Sequence, residues 1–222
     1  MQFEKFPSAE KLTEALTDLL AAEFVRRSEQ PRLVMLAGGR TPLGAYAQIV
    51  ARGLTADANL YLCLSDERHV QLTSPDSNAG QLLKLVKALK LPFNRQLFPN
   101  TAMPLTEAVR DWGEQLGNFL RRGGTLPLGI LGLGADGHTA SLFSLDDVLR
   151  GHDRLTQAVR RPSGPERISL TADLLMKFER LVIVTAGADK LPMVERLRTT
   201  PMMIPAGMVT IRAPRGECWY AD

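Results

Sequence analysis

Apolar residues recur along this chain in two alternating patterns. Short unbroken runs, Leu33-Val34-Met35-Leu36, Leu60 to Leu64, Leu126 to Leu131 and Leu181 to Val184, read as buried strands. Between them lie longer stretches in which apolar residues return every three or four positions, the period of a helix with one buried face. Leu12, Leu16, Leu19, Leu20 and Phe24 mark such a face after Pro7-Ser8. Leu43, Tyr46, Ile49 and Val50 mark the next, with Thr41 expected as N-cap, Pro42 as first helical residue and Gly53 as the stop. Ser77 opens a helix through Leu82, Leu83, Val86 and Leu89 that stops before Pro92. Val109, Trp112, Leu116 and Phe119 share a face of a helix over Thr106 to Leu120, ended by Gly123-Gly124, and a last helix is expected from Lys190 to Arg198. Arg167 to Leu170 and Glu217 to Tyr220 are shorter strand candidates.

Strands alternating with helices predict an α/β fold: one domain over residues 1–222, a mostly parallel sheet flanked by helices, Rossmann-like in arrangement. No internal repeat or long linker interrupts it. The loop from Arg160 to Glu166, with two prolines and a glycine, is expected to cap the active side rather than to separate domains. Open parallel sheets bind ligands at the carboxyl ends of their strands. That rule selects residues 37–42, 65–70, 132–139 and 185–190.

Composition narrows the classes. Lys and Arg total 27 against 24 Asp and Glu, a net charge of +3, and the cations are scattered. Nothing resembles a nucleic-acid patch, though a mild positive balance suits a small anionic ligand. Cys63 and Cys218 are the only cysteines, which excludes a disulfide scaffold or a multi-cysteine zinc site. No apolar run follows Met1, and the stretch from Gly123 to Ala135 is too short and glycine-rich to span a bilayer. A cytoplasmic protein without membrane contact is the expectation.

The selected segments are also the chemically richest. Gly38-Gly39-Arg40-Thr41 is either a plain strand-to-helix turn or a phosphate cradle, with glycine N–H groups and a helix N-terminus pointing at an anion. Asp66-Glu67-Arg68 is either a solvated turn or a functional cluster at a strand end. Residues 132–137 contain G-x-G-x-x-G, but mid-chain and without the acidic residue that a dinucleotide site needs about twenty positions on. Asp136 and His138 in the same loop suit proton transfer better, because a histidine titrates near pH 6.5 and a nearby carboxylate can orient it. Arg167 and Lys190 are isolated cations that, with the first glycine loop, can form a phosphate clamp. Metal-binding pairs such as H-x-x-x-H or C-x-x-C are missing, as is G-x-x-x-x-G-K-[ST]. Ser141 lacks the G-x-S-x-G elbow of a nucleophile and is expected to pack or cap a helix.

In order, LAGGRTP (36–42), SDERHV (65–70), SPDSNAG (74–80), GLGADGHTASLF (132–143), RISLT (167–171) and GADK (187–190) resemble the 6-phosphogluconolactonase family. That family shares its architecture with glucosamine-6-phosphate deaminase. The deaminases typically carry D-E-Y where this chain has Asp66-Glu67-Arg68, and an I-A-F-N-E-P-like run where it has Thr139 to Phe143. Ala37 stands where a serine is common, and Ser144 where a proline is usual.

The resemblance implies hydrolysis of 6-phospho-D-glucono-1,5-lactone to 6-phospho-D-gluconate in the oxidative branch of the pentose phosphate pathway, with neither metal nor organic cofactor. It implies His138 as general base on water, oriented by Asp136. Arg68 would meet the carbonyl or the phosphate, and backbone N–H groups of Gly134 to Gly137 the oxyanion. Gly38, Gly39, Arg40, Thr41, Arg167 and Lys190 would hold the 6-phosphate. Asp66, Glu67, Asn78 and Gly137 would complete the substrate contacts, Asn78 at the sugar hydroxyls. The partner is the phosphorylated sugar lactone, bound by a monomer or a homodimer. The rival readings are a deaminase-isomerase and a non-catalytic phosphosugar sensor, which would not need His138 and Asp136.

Overall fold

The structure is a computed structural model and describes residues 1–160 and 164–222. In chain order its elements are β1 (Gln2–Lys5), α1 (Ala9–Val25), β2 (Arg32–Leu36), α2 (Arg40–Arg52), β3 (Leu60–Leu64), β4 (Asp66–Arg68), α3 (Asn78–Ala88), β5 (Gln96–Leu97), α4 (Leu105–Arg121), β6 (Thr125–Gly132), α5 (Leu145–Arg150), β7 (Thr156–Val159), β8 (Arg167–Leu170), α6 (Ala172–Leu175), β9 (Arg180–Ala186), α7 (Leu191–Thr199), α8 (Pro205–Thr210) and β10 (Arg215–Ala221).

Seven strands form a parallel sheet in the order β1-β10-β9-β6-β2-β3-β5. Every residue of β2 is buried, so both faces of the sheet are covered there, as its unbroken apolar run requires. The chain leaves β2 toward β3 and β5, then returns to the other side of β2 as β6 and continues to β9. The strand order therefore reverses between β2 and β6, and the crevice at that switch point is where such sheets bind ligands.

A second, three-stranded antiparallel sheet has the order β4-β8-β7. β4 is the Asp66-Glu67-Arg68 triplet itself: it is a strand, not a turn. It follows β3 after one residue and pairs Asp66 with Ser169, Glu67 with Ile168 and Arg68 with Arg167. Ser65 joins the two sheets, giving its N–H to Leu36 O and accepting from Leu170 N.

Caps follow the sequence reading with one correction. Ser8 Oγ accepts from Lys11 N, and Ser77 Oγ accepts from Gly80 N at 2.9 Å. Thr41 is not the N-cap of α2. The cap is Gly39, at φ 104°, where a side chain would be strained, so the helix begins at Arg40 and Thr41 lies inside it. Ser144 caps α5. Its Oγ accepts from Asp147 N while Asp147 Oδ2 accepts from Ser144 N. Arg160 and Glu166 form an exposed ion pair at 3.2 Å. The loop expected to cap the active side runs through residues 161–163, which lie outside the described residues.

Candidate active site

A cleft of about 270 Å³ opens at the switch point. Four adjacent strands, in the order β9-β6-β2-β3, bring their carboxyl ends to it. β2 delivers Ala37, Gly38 and Gly39; β6 delivers Gly132 to Gly134 and then His138; β9 leads through a short turn to Lys190. Ser65 follows β3, and β4 adds Asp66 and Arg68, with Asn78 from the start of α3.

The loop after β6 is tied to itself. Gly134 N donates to His138 O at 2.8 Å, Gly137 N to Gly134 O at 3.0 Å, and Thr139 Oγ1 to Gly132 O at 2.8 Å. These bonds fold residues 134–138 into a closed turn with Asp136 Oδ1 2.5 Å from His138 Nδ1 and accepting from His138 N at 3.2 Å. A Cβ on residue 134 would stand 2.1 Å from His138 Nδ1, so only glycine lets the pair close. Phe143 supports the imidazole from one side, ring centroids 4.7 Å apart. With Nδ1 engaged, Nε2 has no protein partner among the described residues and is the nitrogen left to the cleft. Ala140, also on the cleft wall, sits at φ 49°, an uncommon conformation for a residue with a side chain.

Burial opposes ionisation of Asp136, but its hydrogen bonds to the His138 ring and backbone N–H outweigh that and hold its carboxyl below the ordinary 3.8. A folded-state pKa below the unfolded one adds stability above the unfolded value and loses it as pH falls through the folded value. The pair is therefore expected to persist through the usual carboxylate range and break only in stronger acid. A side-chain NMR titration placing the Asp136 midpoint at or above 3.8 would contradict this.

On the opposite wall, Asp66 Oδ1 accepts from Ser65 Oγ at 2.7 Å and Oδ2 from Ser141 Oγ at 2.6 Å. Ser141, expected to pack or cap a helix, instead braces Asp66 from the loop after His138. The Ser141 bond is not visible in sequence, since it meets Asp66 across 75 positions. Arg68 Nη1 donates to Asp76 O at 2.8 Å and to Asn78 Oδ1 at 2.9 Å, and the rest of its fork has no protein partner among the described residues. Lys190 Nζ has a looser companion, Asp189 Oδ2 at 3.5 Å.

The cleft brings together Gly38, Gly39, Asp66, Arg68, Asn78, His138 and Lys190 of the expected residues. Of the rest, Asp136 is joined to the cleft through its bond to His138, and five stand apart from its walls. Arg40 is exposed and Thr41 half-buried on the first turn of α2. Arg167 is 9% exposed on β8, in register with Arg68. Gly137 is buried against Ile204. Glu67 is fully buried, its carboxylate turned away from the cleft. Of the backbone donors expected for an oxyanion in residues 134–137, the N–H groups of Gly134 and Gly137 are used within the loop. Among the described residues the one grouping of three histidine or carboxylate ligand atoms within 4.8 Å is His152, Asp153 and Asp173, at the surface and outside the cleft. No described helix is long and apolar enough to cross a membrane.

The family model for glucosamine-6-phosphate isomerases/6-phosphogluconolactonase matches residues 7–219. The chain belongs to this family. Within it, the 6-phosphogluconolactonase of Haemophilus influenzae is 31% identical over 241 residues, covering 100% of this chain and 97% of the relative. The crystal structure of the 6-phosphogluconolactonase of Thermotoga maritima has a TM-score of 0.80 at 25% identity, covering 99% of this chain and 98% of that one. A monomeric glucosamine-6-phosphate deaminase has a TM-score of 0.82 at 17% identity over 100% of this chain and 97% of the other, a likeness of fold alone. One fold thus serves both branches of the family, and the side chains of the cleft must decide between them.

Proposed function

We propose that this chain is a 6-phosphogluconolactonase, hydrolysing 6-phospho-D-glucono-1,5-lactone to 6-phospho-D-gluconate in the oxidative branch of the pentose phosphate pathway. The observation that carries the reading is the Asp136–His138 pair, engaged at Nδ1 and leaving Nε2 to a cleft that two cations also line. Nε2 takes a proton from water as its oxygen attacks the lactone carbonyl carbon. Asp136 stabilises the imidazolium that forms. The tetrahedral oxyanion then collapses, the bond to the ring oxygen breaks, and that oxygen takes the proton from Nε2. The products are a carboxylate and a sugar hydroxyl, with one proton released to solvent.

An oxyanion needs donors fixed before the charge develops. Arg68, tied by Asp76 O and Asn78 Oδ1, meets that condition better than Lys190. Arg68 is therefore assigned to the carbonyl oxygen. Lys190, as a mobile point charge, is assigned to the 6-phosphate together with Gly38, Gly39 and the N-terminus of α2. Asp66 and Asn78 are assigned to the sugar hydroxyls. Residues 1–222 act as one catalytic domain, as a monomer or a homodimer. The proposed setting is the cytoplasm, where the buried thiols of Cys63 and Cys218 stay reduced.

Two measurements test the reading. The chain should release 6-phosphogluconate from the lactone faster than the spontaneous reaction and no ammonia from glucosamine 6-phosphate; ammonia release would move it to the other branch. Lys190→Ala should raise KM for the phosphorylated lactone about tenfold, the equivalent of ~1.4 kcal/mol. The same change with unphosphorylated gluconolactone would remove Lys190 from the phosphate site.

A further inference from the structure

Glu67 is the residue of the cleft region whose placement least fits a substrate contact. Side chains alternate along a strand, so on β4 Asp66 and Arg68 share the cleft face while Glu67 points the other way. Its carboxylate is fully buried, an arrangement that is costly unless every lone pair finds a donor. Oε1 accepts from Arg68 N at 2.7 Å and Asn78 N at 2.8 Å; Oε2 accepts from Ala79 N at 2.7 Å and Ser77 Oγ at 3.1 Å. Three of these four donors belong to the cap and first turn of α3, whose leading N–H groups have no partner within the helix. A carboxylate there also meets the positive end of the helix dipole.

The same short segment holds Arg68. The two acceptors on Arg68 Nη1 are Asp76 O and Asn78 Oδ1, one on each side of Ser77. Asn78 is fixed in turn by Nδ2 to Asp66 O at 2.8 Å, and its Oδ1 packs where a Cβ on Gly38 would come within 2.3 Å. The position of the guanidinium therefore depends on where residues 76–78 sit against β4, and Glu67 is the side chain that pins them there.

We propose that Glu67 is a positioning residue, acting through Asn78 and the start of α3 to hold Arg68 at the reacting carbonyl. The inference rests on the lactonase reading and on Arg68's role in it. It assigns Glu67 a part in turnover rather than in substrate binding or in stability alone.

The test is a double-mutant cycle on the full chain, read as kcat and KM for lactone hydrolysis, with folding of each variant checked by urea unfolding. Glu67→Gln keeps the shape but turns an amide NH2 toward donors. It is expected to lower kcat at least tenfold with KM changed less than threefold. In the Arg68→Ala background the same substitution should cost less than threefold, because the group it positions is gone. An equal loss in both backgrounds would overturn the proposal and leave Glu67 a structural residue. If Glu67→Gln does not fold, Glu67→Asp, which keeps the charge but shortens its reach, must show the same dependence on Arg68, and an equal loss in both backgrounds overturns the proposal there too. Asn78→Ala leaves the backbone bonds to Glu67 in place and cuts the link to Arg68, so it must also lose kcat at least tenfold; unchanged kcat would break the chain of contact. A wild-type protein that does not hydrolyse the lactone removes the functional reading itself, whereas an active wild type with an additive cycle removes only this inference.

Discussion

Alanine at position 138 is expected to lower kcat for lactone hydrolysis by ~10²–10⁴-fold, the usual contribution of a positioned general base. The fold should survive, because the ring makes one aromatic contact, with Phe143, and lines a cleft rather than the core. The loop is closed by backbone atoms, including Gly134 N to His138 O, and alanine keeps these. Urea unfolding should therefore shift little while turnover collapses. Turnover within threefold of wild type would show that the proton is taken elsewhere.

The second large effect comes from a residue with no side chain. Gly134→Ala places a Cβ 2.1 Å from His138 Nδ1, 2.3 Å from its Cε1 and 2.5 Å from Asp136 Oδ1. None of these contacts is tolerable, so the pair must open or the ring must leave its place beside Phe143. Overpacking of this kind costs about 1–3 kcal/mol of stability. The catalytic loss is expected to be larger, at least ~10²-fold in kcat, because imidazole orientation is what the general base depends on. Paired measurements of kcat and urea stability check this. A variant that is less stable but fully active would show that the Asp136–His138 geometry does not govern turnover.

The parts of the fold carried by burial were legible in the chain. β2, β3, β6 and β9 are apolar runs because both of their faces are covered, and the glycines at the ends of β2, β6 and β9 mark where the cleft forms. β4 was not legible, since three consecutive charged residues carry no apolar signal; it is a strand because β8 pairs with it and Glu67 finds four donors. Burial nevertheless pushes the Glu67 carboxyl above its ordinary value, against those four bonds. β1 escaped for a related reason, being an edge strand whose Gln2, Glu4 and Lys5 are exposed.

The site divides in the same way. Asp136, His138, Gly38, Gly39, Asp66, Arg68, Asn78 and Lys190 could be picked from strand ends and motif order. What they bond to could not. The bond from Ser141 to Asp66, the tether of Arg68 by Asn78 and the internal use of the Gly134 and Gly137 N–H groups all depend on how the loops close. Arg40 and Thr41 stand off the cleft because α2 begins two residues earlier than its sequence suggests, at Arg40 rather than Pro42. Arg167 shares a face with its partner Arg68 but sits one strand further out, on β8.

The central claim is that this cleft hydrolyses a phosphorylated sugar lactone, and the rate of lactone loss tests it most directly. The lactone is generated in situ from glucose 6-phosphate and followed by NMR, with and without the wild-type protein. The account predicts loss far above the spontaneous rate, with 6-phosphogluconate appearing in equal amount. Loss at the spontaneous rate, at enzyme concentrations where the protein is folded, would contradict it.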